Sequence, residues 1–535
     1  MKSTCKLYSP AILLFWLISS FSFGQDAAMN SINENDLKAH LDFIASDLLK
    51  GRKLGKSELE IAANYLVSNL KKMNVKPASE KDNYLQGMDF ISVEPDVQNT
   101  FIKIRNAKNE YMISRDSILS LFPPPKNLKY NGSIVFAGYG IIDSANSYND
   151  FAQINVKDKI IMIMSRTSEL VNKEKSSNKN PFFYDLEYRK IAYAAQNGAK
   201  TILWVLDPNN KYKSFYEIEN ELYEFAKQAI YIKEKLEIMF PLDFIIITQH
   251  TADLILKSSG KSLLDLQNKI TATQKPYSFE IKKTTIDLQI CRIVKDFISS
   301  NIIGYIEGSD PVLKNEYIIY TAHYDHLGVD QNGKIYNGAD DNGSGTVALL
   351  EIAEAFTKLP NNPKRSIVFA WMTAEEIGGI GSQYYVNHPL FPLEKTVTCI
   401  NLDMIGRVKT SDDKHRMADI KNADSLFVIS GANSSELLKI NSSICSKFDL
   451  NPDYFDKKQR LEYSDQFFFY QKGIPVLFYH NGFNQDTHST NDIVKKIDFV
   501  KMKKVAQVAF SVGFEVANND KKLEVDKPIN NISVK

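Results

Sequence analysis

The sequence predicts an α/β fold that carries a second, smaller module of α/β or β-rich character. Three observations predict it. From about residue 285, apolar runs of strand length recur at Tyr317–Ala322, Ser366–Met372, Val397–Leu402 and Pro475–Tyr479. A helical stretch with Leu349, Ile352, Ala353 and Phe356 on one face separates the first two. Residues 126–280 have another texture, with short strand candidates at Ser133–Phe136, Ile160–Met164 and Thr201–Val205. Turns are expected at Gly138, Gly140 and Asp143–Asp150, a helix end near Gly198, and an exposed Lys/Asn/Ser loop at Asn172–Asn180.

At the start, residues 31–75 repeat apolar residues at helical spacing. Leu37, Leu41, Ile44 and Leu48 form one stripe; Leu59, Ala62, Ala63, Leu66 and Leu70 form another, opened by a capping box of Ser57 and Glu60. Ahead of them Lys2 and Lys6 precede an apolar run from Ala11 to Ile18 and small residues at Ser22 and Gly24. That pattern reads as a secretory signal, residues 1–24, so the protein is expected to be exported, periplasmic or extracellular. The run falls short of the roughly 20 apolar residues of a membrane span. The polar stretch Ala517–Lys535 has little periodicity and is expected to be disordered.

Composition bounds the answer without naming a chemistry. The 535 residues suggest two or three domains, and 44% apolar with 24% charged residues describes a globular chain. A formal net charge of +1 leaves no electrostatic footprint for nucleic acid or an anionic membrane. Cys5 leaves with the signal. Cys291, Cys399 and Cys445 allow at most one disulfide, have no CxxC spacing and read as buried small residues.

Chemistry gathers where the strands end. The first run leads into His323-Tyr324-Asp325-His326, the second into Glu375-Glu376, the third into Asp403 and the fourth through a loop to Asp486-Thr487-His488. Between the first strand and its helix lies Gly338-Ala339-Asp340-Asp341-Asn342-Gly343-Ser344-Gly345. In open α/β sheets ligands collect at the carboxyl ends of strands. Imidazole with carboxylate suits zinc, or less selectively cobalt and manganese, and no cysteine joins the set. Two histidines and three carboxylates are too many for one open zinc; they suit two zincs about 3.5–4 Å apart sharing a carboxylate. The glycines lack the Lys-Ser/Thr of a phosphate loop. His326 and His480 are expected as ordinary hydrogen-bonded residues outside the ligand set, and Asp340 as a turn residue bonding its own backbone.

With these residues in view, the sequence resembles the zinc-dependent exopeptidase family of bacterial leucyl aminopeptidases and glutamate carboxypeptidases. Ala45-Ser46-Asp47 and Gly51-Arg52 look like that family's lead-in. Phe136-Ala137-Gly138-Tyr139-Gly140-Ile141 and Val156-Lys157-Asp158-Lys159-Ile160 are similar to a protease-associated domain. The resemblance implies a phosphorylase/hydrolase-like mixed sheet flanked by helices, with a β-rich protease-associated domain inserted. Residues 25–125 would be the helical N-terminal part of the peptidase domain, 126–280 the insertion and 285–516 the di-zinc domain. It implies two Zn2+ per chain. Asp341 would bridge them, His323 and Asp403 would complete one, and Glu376 and His488 the other. Glu375 would be the general base, Asp325 would orient the His323 imidazole, and the Asp341–Asn342 peptide would be cis. Where the family has Ser-Asp-His this chain has Ser464-Asp465-Gln466, which makes Gln466 and Tyr463 candidate substrate contacts. Peptides are the expected substrates, with an aminopeptidase as the leading reading. A carboxypeptidase or dipeptidase, or a single-zinc glutaminyl cyclase, are the alternatives.

Overall fold

The computed structural model describes residues 24–78, 84–106, 109–113, 117–120, 124–165, 185–206, 208, 217, 229–236, 242–330, 332–411, 413, 419–430, 433–454 and 458–527. The signal segment, apart from Gly24, and the Asn172–Asn180 loop lie outside them. The chain divides into two compact units. One joins the residues up to Met88 to those from Ile298 onward; the other is Asp89–Phe297. The second unit is wider than the expected insertion: residues 89–125, expected in the peptidase part, belong to it.

The first unit begins with two helices, α1 (Glu34–Ile44) and α2 (Ser57–Lys72). The Asn33 side chain caps α1 by accepting from the amides of Asn35 and Asp36. Leu37, Leu41 and Ile44 face the core, each burial stabilising by about 1.5–3 kcal/mol. The helix ends there, so Leu48 does not extend the stripe; it sits in the short helical turn Asp47–Arg52 and is exposed. The expected capping box is also absent. Ser57 is already the first helical residue, Lys56 is the cap, and the Ser57 hydroxyl donates to Glu58 instead.

The sheet of this unit is mixed. Its strands are β1 (Ser278–Ile306), of which residues 302–306 pair here, β2 (Tyr317–His323), β3 (Ser366–Met372), β4 (Thr396–Leu402), β5 (Ser425–Ile429), β6 (Asn451–Asp453) and β7 (Val476–His480). The order is β6-β5-β7-β4-β2-β3-β1. β7, β4, β2 and β3 run parallel, while β1 and β5 join antiparallel. The parallel strands are almost entirely buried, which is why they read as unbroken apolar runs rather than alternating ones. Helices α3 (Gly345–Thr357) and α4 (Phe499–Asn518) pack together, with Phe356 and Phe510 in contact at 4.6 Å between ring centres. α4 runs into the stretch expected to be disordered, with Val516 and Ala517 buried. Residues beyond it stay in place: Leu523 is buried, the Asp526 amide donates to the Asn433 carbonyl, and the Asp526 carboxylate accepts from the Ser435 amide. A polar composition hid the anchoring side chains in this segment.

In the second unit, Leu128–Ala137 pairs antiparallel with residues 278–290 of β1 and parallel with Ile160–Met164. Thr201–Val205 and Phe244–Ile247 continue the parallel set. Helices Asp185–Gln196, Gln249–Leu256 and Leu263–Thr273 accompany the strands. Gly198 follows the first of these at φ +79°, in the left-handed conformation expected of a helix end. Alternate residues of the strands feed two cores, one around Phe136, Met162 and Leu203, the other around Val135, Ile161 and Trp204. Cys291, Cys399 and Cys445 are free thiols. No helix among the described residues is long and apolar enough to cross a membrane.

Candidate metal centre

The strand order places the chemistry. β2 is flanked by β3 on one side and β4 on the other, so the chain leaves β2 between two parallel neighbours. Such a point opens a crevice beyond the carboxyl ends. His323 is the last residue of β2, Glu375 and Glu376 follow β3, and Asp403 follows β4. Asp341 comes from the loop ahead of α3, and His488 from the loop after β7.

Two sets of donors converge. His323 Nε2 lies 3.4 Å from Asp341 Oδ1 and 3.5 Å from Asp403 Oδ1. His488 Nε2 lies 3.1 Å from Asp341 Oδ2 and 3.3 Å from Glu376 Oε2. Asp341 thus offers one oxygen to each set. Four donors about 2.0–2.1 Å from a tetrahedral zinc stand about 3.3–3.4 Å from one another, which is the spacing seen here. His323 Nε2 and Asp403 Oδ1 are moreover buried with no hydrogen-bond partner among the described residues. The donor set therefore fits a pair of zinc ions with a shared carboxylate.

Electrostatics point the same way. Hydrogen bonds that His488 donates to Asp341 and Glu376 raise its imidazole to about 11. Burial pushes His323 down, but the charges of Asp403 and Glu375 outweigh it and hold the imidazole well above its ordinary value. Burial would raise Asp341, yet His323 at 3.4 Å and His488 at 3.1 Å hold it well below the carboxylate range. Protons crowd where a divalent cation would compete for the same donors.

The two glutamates differ. Ala374, at φ +59°, turns the chain after β3, and both side chains reach the centre. Glu375 Oε2 lies 3.8 Å from His323 Nε2, and burial raises its carboxyl well above the usual range. Burial acts on Glu376 too, as does the charge of Asp341, but His326 and His488 hold it at about 2. Adjacent carboxyls with opposite shifts are the pattern of an acid–base group beside a permanently charged one.

Asp325 does not sit as expected. His323 Nδ1 lies 3.2 Å from the Asp325 backbone carbonyl and 3.8 Å from its carboxylate. The carboxylate faces the amides of Glu375 (3.1 Å) and Glu376 (3.4 Å). Its backbone orients the imidazole and its side chain holds the glutamate turn. Gln466 is corrected as well. It is fully buried, its Oε1 accepting from Asn401 and its Nε2 donating to the Leu461 carbonyl, so its amide is spent inside the protein. Tyr463 is exposed and packs edge-on against Phe483, which meets His480 in turn. His480 Nδ1 lies 2.9 Å from the Asp403 carbonyl, a hydrogen-bonded role as expected. Asp340 does not bond its own turn through its carboxylate; it accepts from the Gly406 amide, 2.7 Å away beyond β4.

Three supports escaped the sequence reading. Asp492 accepts from the amides of Asp340 (2.9 Å) and Asp341 (3.0 Å), fixing the bridging residue. His326 is buried beside Glu376, 2.5 Å from its Oε1. Arg52 is fully buried and donates to four carbonyls: Tyr324 (2.9 Å), Ile44 (2.8 Å), Asn337 (2.7 Å) and Gly338 (3.0 Å). Gly51-Arg52 resembles a family lead-in, but nothing local in the sequence aims Arg52 at residues nearly three hundred positions away. The Asp341–Asn342 peptide is cis. Just after it, α3 approaches β4 so closely that a Cβ on Gly345 would fall 2.2 Å from the Leu402 carbonyl.

Comparison with known proteins agrees with this architecture. Residues 301–513 match Peptidase family M28. The chain is 37% identical over 119 residues to leupeptin-inactivating enzyme 1 of Streptomyces exfoliatus, covering 21% of this chain and 25% of that protein. It is 38% identical over 110 residues to aminopeptidase YwaD of Bacillus subtilis, covering 20% and 22%. The chain thus spans about a quarter of the length of these curated relatives. Among solved structures, the aminopeptidase from Aneurinibacillus sp. strain AM-1 superposes with a TM-score of 0.55 at 18% identity, covering 94% of this chain and 98% of that one. That likeness shows a shared α/β fold over nearly the whole chain. Fold and sequence match thus agree: residues 301–513 carry the sequence pattern of Peptidase family M28, on an α/β fold shared with a solved aminopeptidase.

Proposed function

We infer that this protein is an exported metallo-exopeptidase, an aminopeptidase that releases N-terminal residues from peptides at a two-zinc centre. The observation that carries the reading is the spacing of 3.1–3.5 Å among His323, Asp341, Asp403, Glu376 and His488, with Asp341 common to both sets. The aminopeptidase names of relatives such as YwaD support the choice among exopeptidases. Residues 89–297 are read as the protease-associated module.

Zinc, when bound, supplies Lewis acidity and a water of lowered pKa. The chain supplies the rest. His323 and Asp403 hold one position, Glu376 and His488 the other, and Asp341 both. Glu375 stands beside them without joining either set, and its burial raises the proton affinity of its carboxylate. It accepts a proton from the attacking water at its carboxylate and returns it to the leaving amine nitrogen. Asp325 keeps Glu375 and Glu376 in register through their amides. Tyr463, at the exposed rim, is the candidate contact for substrate.

Glu375→Gln is the direct test. It should retain about two zincs per chain by metal analysis and lower kcat by about 10²–10⁴-fold. Activity near wild type would remove Glu375 as the base. A panel of peptides with free and blocked termini decides the direction of attack. Turnover of N-blocked but not C-blocked peptides would establish a carboxypeptidase instead.

A further inference from the structure

His326 stands outside the five donors, yet it is packed against them. Its Nδ1 lies 2.5 Å from Glu376 Oε1 and 4.0 Å from Asp341 Oδ1. The first distance is a hydrogen bond, too short for two ligands of one zinc, whose donors stand about 3.3 Å apart. The same triple of His326, Asp341 and Glu376 could be taken as a ligand set, but this spacing excludes it. Its Nε2 is buried with no hydrogen-bond partner among the described residues. Nδ1, 2.5 Å from a carboxylate oxygen that can only accept, is a ring nitrogen that carries an N–H. Glu376 Oε1 is therefore the acceptor.

The ring is held in place. The His326 amide donates to the Arg52 carbonyl at 3.2 Å. Gly338, at φ +60°, flanks the imidazole, and a Cβ there would fall 2.5 Å from ring Cδ2. The other oxygen of Glu376 faces His488 at 3.3 Å. One carboxylate is thus shared between two histidines, one oxygen to each.

We propose that His326 is a positioning residue for the second metal: its Nδ1–H occupies Glu376 Oε1 and fixes Oε2 as the single ligand oxygen toward His488. The idea rests on the two-metal reading above. It predicts an asymmetry, since the set of His323 and Asp403 does not touch His326.

Metal affinity of the full chain tests it without any activity readout. Metal-free protein is titrated with zinc against a chromophoric chelator, for wild type, His326→Leu, His326→Asn and His326→Gln. Wild type should bind two zincs. His326→Leu should keep one at wild-type affinity and bind the second about 10–100-fold more weakly. His326→Asn, whose amide nitrogen falls near the Nδ1 position, should recover most of the loss; His326→Gln should not. Unchanged affinity in His326→Leu, equal loss at both positions, or equal behaviour of Asn and Gln would each overturn the proposal. If His326→Leu fails to fold, the Asn and Gln pair still decides it, because both are polar and only one reaches. Fewer than two zincs on wild type would sink the two-metal reading itself, a result distinct from failure of the His326 role.

Discussion

Arg52 offers the sharpest test of how the centre is supported. Its guanidinium is fully buried and donates to four carbonyls contributed by Ile44, Tyr324, Asn337 and Gly338. Burial lowers it to about 10, and nearby Asp341, Asp492, Asp325 and Glu376 counter that, so it stays charged at neutral pH. Replacement by methionine keeps much of the volume and removes every donor. Each hydrogen bond from a charged donor contributes about 1.5–3 kcal/mol, partly offset by the desolvation the guanidinium no longer suffers. Removing one partner of a buried charged network costs about 3–5 kcal/mol, and Arg52→Met should fall in that range. Lysine, a point charge with three donors, cannot serve four carbonyls spread around a fork, so Arg52→Lys should lose about half as much. The assay is urea unfolding of metal-free protein in chelator, which keeps zinc binding from masking the change. A loss below about 1 kcal/mol for Arg52→Met would refute the reasoning, because it would mean the four carbonyls find other partners.

Three further outcomes follow from particular side chains. Gln466→Leu should destabilise by about 1–3 kcal/mol by removing one of the two acceptors of the Asn401 amide and the side-chain donor to the Leu461 carbonyl, while KM stays near wild type; a selective rise in KM would restore Gln466 as a substrate contact. In the second unit, burial raises Asp150 from 3.8 to about 6. Its contribution to stability is complete below pH 3.8 and is lost as pH rises through 6, a change of about 3 kcal/mol at 1.36 kcal/mol per unit. Unfolding of wild type and Asp150→Asn across pH 4–7 should diverge by that amount, and parallel curves would contradict it. Gly345→Ala puts a methyl 2.2 Å from the Leu402 carbonyl and should cost about 1–3 kcal/mol in the same urea assay; no change would mean that α3 can shift.

Much of the centre was legible because each donor ends a strand or sits in a turn whose composition announces it. His323, Asp403 and the glutamate pair follow apolar runs too long and too buried to be anything but interior strands. What the sequence concealed are contacts between distant segments. Arg52 reaches carbonyls that follow β2, and Asp492 reaches the amides of Asp340 and Asp341. No periodicity encodes such partners. His326 was set aside for a sound reason, since a lone histidine beside a strand is commonly a hydrogen-bonded residue. Its bond turned out to be to Glu376. Asp325 shows a subtler limit: proximity in sequence identified the right neighbour, His323, but which of its oxygens faces the ring depends on a turn that only the fold reveals. The second unit reaches from Asp89 to Phe297, beyond the expected 126–280, and at its later edge β1, a strand of 29 residues, has no compositional break.

The spread of these contributors along the chain also sets when the donor set can be complete. Arg52 is made before His323, and His488 and Asp492 follow every other contributor. A growing chain therefore holds no complete donor set until His488 has been synthesised, and a fragment truncated before it lacks one. On the metallopeptidase reading proposed above, the centre is in this way incomplete while the polypeptide is still being made. One cut in the loop after β7 would return it to that condition if the fragments part.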